Sequence, residues 1–189
     1  MDGFALHLLR HGAPETPGLM LGRTDVAPTP GGIDACVERA KGLSVEAVVA
    51  SDLARAARPA ATIAAAAGRT ATLDPRWREL DFGAWDGLAA AQVDARALAR
   101  FWDDPDAHPP EGGERWSALT ARVGEALAAL APRPTLVVTH GGALRAALAV
   151  LCGFEQRHLW SIDLPYAALL SLRVWPGETP AAQITGLRT

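Results

Sequence analysis

The chain has almost no lysine. Of its 18 cationic side chains, all but Lys41 are arginine. No run of either gathers into a tail, and the net charge at pH 7 is −3, so the basic field that nucleic acid requires is missing. Cysteine is scarce too. Cys36 and Cys152 stand far apart, without metal-type spacing or the density of a disulfide scaffold, and read as two reduced thiols. No apolar run approaches the ~20 residues of a membrane-spanning helix. The first residues pass directly into a strand pattern, with no basic leader or cleavage signal, so a cytoplasmic location is expected. Internal repeats, linkers and low-complexity tracts are absent as well. What remains is 189 residues, 49% hydrophobic and 21% charged, the profile of a globular protein with a full core. Residues 1–189 read as a single domain.

Against that background one stretch stands out. Leu8-Leu9-Arg10-His11-Gly12 is an apolar strand ending on an arginine and a histidine, with a glycine turn after it. The same pattern returns as Leu136-Val137-Val138-Thr139-His140-Gly141-Gly142. In an open α/β sheet, ligands bind outside the carboxyl ends of parallel strands, so both histidines should face one crevice.

Strand and helix patterns alternate along the chain. Strands are expected over Phe4–Leu9, Val45–Ala50, Thr70–Leu73, Thr135–Thr139 and Leu169–Val174. Helices are expected over Ile33–Leu43, from a cap at Ser51-Asp52 through Ala67, over Glu114–Ala131 and over Gly142–Leu151. This rhythm predicts a three-layer α/β/α fold with a mostly parallel sheet. Asp81–Gly113 breaks it. Aromatic and proline-rich, with Phe82, Trp85, Phe101 and Trp102, this segment reads as a lid over a site.

A third strand end adds to the two histidines. Ser51-Asp52-Leu53-Ala54-Arg55 follows the apolar Val48-Val49 pair, placing Arg55 in the first turn of a helix. Arg10, His11, Arg55 and His140 would then form a cationic cluster with few acidic neighbours. Such a cluster is costly unless an anion occupies it, and arginine forks with helix N-termini suit a tetrahedral oxyanion. The ligand expected is a phosphate. His7 lies inside its strand and reads as structural, His158 as a surface residue, and His108 as a lid residue whose contact with substrate is open.

At this point the chain resembles the histidine phosphatase, or phosphoglycerate-mutase-like, superfamily. The resemblance rests on the Leu9-Arg10-His11-Gly12 start, Ser51-x-Leu53-x-Arg55-Ala56, Glu79-Leu80-x-Phe82-Gly83-x-Trp85-x-Gly87 and Thr139-His140-Gly141-Gly142, in the family's order. It implies a mixed α/β sheet and a phosphohistidine intermediate. It implies His11 as nucleophile, Arg10, Arg55 and His140 as holders of the phosphoryl group, and Glu79 as proton donor. Gly12, Gly22, Arg23 and Gly141 are the substrate contacts expected beside them. Chemically, neutral imidazole attacks phosphorus well, and two in-line transfers replace one hard step. Surrounding cations should keep His11 unprotonated and stabilise the equatorial oxygens. Burial beside Trp77, Phe82 and Trp85 should keep Glu79 protonated. No metal and no cofactor is called for.

Three departures from the family pattern matter. Pro59 should kink the helix that carries Arg55. Ala13-Pro14-Glu15 replaces a polar pair after His11-Gly12, and Arg115 replaces a serine. Gly22-Arg23-Thr24-Asp25 and Trp102-x-x-Pro105-x-x-His108-Pro109-Pro110 look most like the α-ribazole-5′-phosphate phosphatase branch, which acts late in cobalamin assembly. The function expected is a metal-independent phosphomonoesterase acting on a small phosphorylated metabolite, with a homodimer left open and neither nucleic acid nor membrane as partner. A broad-specificity phosphatase, a phosphoglycerate mutase, a phosphate-binding module without turnover and a histidine-based metal hydrolase are the alternatives.

Overall fold

The structure, a computed structural model, describes residues 2–177 and 181–189. Its centre is a six-stranded sheet, built from β1 (Phe4–Arg10), β2 (Ala47–Ala50), β3 (Thr72–Leu73), β4 (Thr135–Thr139), β5 (Leu169–Trp175) and β6 (Ala181–Arg188). The strand order is β3-β2-β4-β1-β5-β6. The pairs β3–β2, β2–β4 and β4–β1 are parallel. β5 runs antiparallel to β1, and β6 antiparallel to β5. The sheet is therefore mixed: a parallel half that carries the strand ends singled out above, and an antiparallel hairpin on its flank.

Two apolar clusters cover the two faces, and strand alternation sorts residues between them. Leu6 and Leu8 of β1 and Val137 of β4 face one cluster, with Leu119 and Val123 of α4 (Trp116–Ala128) and Leu144 and Leu148 of α5 (Gly141–Cys152). Leu9, Leu136 and Val138 face the other, with Cys36 of α1 (Pro30–Ala40) and Ala56, Ala60 and Ile63 of α2 (Ala54–Ala66). This is the expected three-layer architecture. Small alanines on α2 let the helix lie close to the sheet. Both cysteines are free thiols, and among the described residues no helix is long and apolar enough to cross a membrane.

Several boundaries differ from the sequence-based expectation. α1 begins at Pro30, because the Thr29 hydroxyl accepts from Gly32 N–H and proline suits the first turn. The pair Gly31-Gly32 thus lies inside the helix. α2 is capped neither by Ser51 nor by Asp52. Its N-cap is Leu53, without a side-chain bond, and Ala54 N–H donates to Asp25 Oδ1 at 2.7 Å instead. Pro59 lies inside α2, whose end at Ala66 falls within one residue of the expected one. The strand β6 and the short helices α3 (Ala95–Asp103) and α6 (Gln156–Leu159) have no counterpart in the pattern reading. Gly12 has a packing reason: a Cβ there would lie 2.0 Å from Gly32 O, so β1 and α1 meet backbone to backbone.

Candidate active site

Strand register brings the two histidines together. Arg10 pairs with Thr139 across β1 and β4, and His11 N–H donates to Thr139 O at 2.8 Å. The next residue on each strand is then a neighbour of the other. The His11 and His140 rings stand 5.1 Å apart between centroids, edge to face. Both are buried, at 5% and 0% exposure. His11 Nδ1 lies 2.7 Å from Gly12 O. A carbonyl can only accept, so Nδ1 carries the hydrogen and Nε2 keeps its lone pair. Burial is the main cause that pushes the His11 imidazole down to about 3, with the Arg55 and Arg10 charges adding to it and the Gly12 bond opposing. The cations expected to keep His11 unprotonated do act in that direction, but less than desolvation. His140 is held well below the ordinary imidazole value by burial first, then by His11, Arg55 and Arg10.

Arg55 is buried at the start of α2 and fixed by three carbonyls. Its Nη1 donates to Thr24 O, and its Nη2 to Leu21 O and Gly22 O. Arg10 Nη1 donates to Leu164 O at 2.6 Å. Arg10 Nε, Arg55 Nε and both ring nitrogens of His140 are buried without a hydrogen-bond partner in the protein. Orphaned polar nitrogens of this kind are rare, and four in one cluster mark a place built for an anion. Among the described residues no three His, Cys, Asp or Glu side chains are grouped to hold a metal ion.

Glu79 reaches the same point from the end of a 3₁₀ turn at Pro75–Trp77. Its carboxylate accepts from Leu80 N–H at 2.8 Å and from Gly142 N–H at 3.0 Å. The side chain is half-buried, not enclosed among aromatics as expected. The cleft beside it is lined by Arg10, Glu79, Gly141, Gly142 and Arg145 at its floor. Phe82, Phe101, Trp102, Trp116 and Trp160 form its walls. Phe82, Phe101, Trp102 and Pro105 of the Asp81–Gly113 segment thus line the cleft. His108 is exposed and lies outside that lining, and His158 is exposed on α6. His7 is a structural residue, its Nδ1 2.8 Å from Ser171 Oγ.

Of the remaining expected contacts, Gly22 and Arg23 are bonded within the frame, whereas Gly141 lines the cleft. Gly22 gives its N–H to Asp86 and its carbonyl to Arg55, so no backbone group of it is free for substrate. The N–H groups of Arg23 and Thr24 also donate to Asp86. Arg23 Nε donates to Asp81 Oδ2 at 3.2 Å on the rim. Gly141 opens α5, and its carbonyl accepts from Arg145 Nη1 at 3.4 Å.

Two site residues escape a strand-end reading. Tyr166 packs against His11, with centroids 5.5 Å apart, and its ring lies 4.4 Å from Arg10 Cζ. It belongs to the loop before β5, where Ala167 takes a positive φ of 59° and donates its N–H to His11 O. Because β5 is antiparallel, its beginning lies where the parallel strands end; a proline-aromatic pair before that strand was the available signal. Arg145 stacks 4.6 Å over Trp160 and donates to the carbonyls of Leu159 and Ile162.

Residues 6–185 match the histidine phosphatase superfamily (branch 1). The chain belongs to this family. It is 33% identical over 166 residues to a glucosyl-3-phosphoglycerate phosphatase of Mycolicibacterium vanbaalenii, covering 78% of this chain and 74% of that one. It is also 33% identical, with the same coverage, to a protein of Salmonella choleraesuis named probable phosphoglycerate mutase GpmB. Among solved structures, mycobacterial glucosyl-3-phosphoglycerate phosphatase Rv2419c with VO3 superposes with a TM-score of 0.85 at 26% identity, covering 97% of this chain and 98% of that one. By class the histidine phosphatase is a phosphoric monoester hydrolase; its substrate is a separate question.

Proposed function

We propose that the protein hydrolyses a phosphate monoester through a phosphohistidine on His11, without a metal ion. The observation that carries this reading is the unprotonated Nε2 of His11 beside four buried, partnerless nitrogens of Arg10, Arg55 and His140. In the first step Nε2 attacks phosphorus, the P–N bond forms and the bond to the alcohol oxygen breaks. The leaving oxygen takes its proton from Glu79 while the arginines and His140 carry the equatorial charge. In the second step water attacks phosphorus and gives a proton to Glu79. The P–N bond breaks, and neutral His11 and inorganic phosphate remain. Glu79 lines the aromatic cleft, which supports a departing alcohol held between Trp102, Trp160 and Phe82.

That lining supports an aromatic alcohol. With the Gly22–Asp25 and Trp102–Pro110 segments, it makes α-ribazole 5′-phosphate, whose benzimidazole base is planar and uncharged, the substrate we put first. The test is a rapid quench with ³²P-labelled substrate followed by a specificity panel in EDTA. Expected are an acid-labile, base-stable protein phosphate absent from His11→Ala, turnover unaffected by chelation, and vanadate inhibition well below millimolar. An acid-stable label, or activity lost in EDTA and restored by metal, rejects the mechanism. Transfer of the label to a second substrate hydroxyl in place of water identifies a mutase.

A further inference from the structure

Glu79 sits on a segment with little regular structure, yet its backbone is clasped from one side. Arg122 of α4 donates from Nη1 to the carbonyls of Arg76 and Arg78, and from Nη2 to that of Glu79, each at 2.8 Å. The same guanidinium makes a two-pronged pair with Glu114, Nε to Oε1 at 2.7 Å and Nη2 to Oε2 at 2.8 Å. Glu114 closes the clasp. Its Oε2 accepts from Asp81 N–H, and its own N–H donates to Asp81 O. Carbonyls of residues 76, 78, 79 and 81 are thus all tied to one ion pair, whose side chains are 16% and 11% exposed. Neither residue lines the cleft.

A nearly buried ion pair of this kind contributes little net stability, and well-packed apolar residues would serve the fold as well. A planar fork with five donors, however, fixes several carbonyls in one geometry, which a point charge cannot do. Misplacing a proton donor by about an ångström costs far more in rate than in stability. We infer that Arg122 and Glu114 are positioning residues for Glu79, holding residues 76–81 so that its carboxyl meets the leaving oxygen. The inference rests on the reading of Glu79 as proton donor.

The experiment is a burst measurement of His11 phosphorylation with two substrates, an alkyl phosphate and p-nitrophenyl phosphate. Arg122→Gln, Arg122→Lys and Glu114→Gln are compared, alone and combined with Glu79→Gln, after thermal unfolding shows which variants are folded. The alkyl ester needs a proton on its leaving oxygen, typically worth ~10²–10⁴-fold, and nitrophenolate does not. Arg122→Gln should slow the alkyl ester at least about tenfold more than the nitrophenyl ester. Arg122→Lys, which keeps the charge near His140, should recover only part of that ratio, and Glu114→Gln should move it in the same direction. Added to Glu79→Gln, none should change the ratio further. Equal losses for both substrates in every folded variant, or ratios that multiply with Glu79→Gln, overturn the inference. If Glu79→Gln alone leaves the ratio unchanged, the proton-donor reading has failed and takes the inference with it. Should Arg122→Gln not fold, Arg122→Lys and Glu114→Gln decide the matter.

Discussion

His11 is 5% exposed and its imidazole is pushed down to about 3, so it enters the reaction already unprotonated. The same fact has a cost at low pH. In the unfolded chain a histidine binds its proton near pH 6.5; in the native protein His11 does not until about pH 3. Between those values the unfolded state holds the extra proton. The stability present above pH 6.5 is therefore lost as pH falls, by about 1.4 kcal/mol per pH unit for one such group. His11→Asn should flatten the slope of unfolding free energy between roughly pH 6 and 4 by about that amount, read from urea titrations at stepped pH. An unchanged slope would mean that His11 is protonated in the native state. Gly142 is a second single-residue constraint. A Cβ there would fall 2.1 Å from Glu79 Oε1, whereas one at Gly141 meets nothing nearer than Arg145 at 3.4 Å. Gly142→Ala should leave the fold stable, since alanine favours a helix over glycine by up to about 1 kcal/mol. It should nonetheless cut phosphorylation by alkyl esters on the order of tenfold or more, by displacing the proton donor. Gly141→Ala should leave the fold equally stable and leave Glu79 in place, with no such loss of phosphorylation. Equal activity of the two variants would show that Glu79 needs no such seat.

At the scale of elements, what could be read from residues and what could not divide along sequence distance. The ends of β1 and β4 were legible, because Arg-His-Gly and Thr-His-Gly-Gly follow apolar runs whose burial only a central strand explains. Arg55 was legible for the same reason. Its helix start was not. Ser51-Asp52 satisfies every local rule for a cap, yet Asp52 pairs with Arg78 and the helix takes its acceptor from Asp25, 29 residues earlier. Arg55 depends on that same loop, through the carbonyls of Leu21, Gly22 and Thr24. Asp86 holds the loop in turn by accepting from three successive N–H groups. Such long-range exchanges of caps carry no local signal. They do predict a consequence. Asp25→Ala should cost about 1 kcal/mol of stability, as cap losses do, and raise the KM for phosphate esters by loosening Arg55. If calorimetry shows no loss while KM rises, Asp25 acts on substrate directly and not through α2. The two other carboxylates of this region, Asp25 and Asp81, are both engaged in holding the frame, Asp25 to Ala54 N–H and Asp81 to Arg23 and Gly83 N–H.

The whole molecule joins two halves over the cleft, and their meeting is aromatic. Trp102 lies near the end of α3 in the Asp81–Gly113 segment, and Trp160 follows α6 on the C-terminal side. Their rings meet at 4.7 Å and 90°. Phe101, buried behind them, packs edge-on against Phe82, Trp85 and Trp102. Arg145 braces the far wall by stacking on Trp160. Trp102 and Trp160 remain 43% and 37% exposed. A planar leaving group in the cleft would cover part of that surface, and each aromatic pairing is worth about 0.5–1.5 kcal/mol beyond burial. Trp102→Ala and Trp160→Ala should therefore lower kcat/KM for 1-naphthyl phosphate by roughly two- to tenfold each. Glycerol phosphate, which has no ring to stack, should be hydrolysed by the variants as by the parent. Because the two rings touch, the double variant should lose less than the product of the single losses. A uniform fall across both esters would place the leaving alcohol outside this cleft, and the orientation of Glu79 toward it would need another explanation.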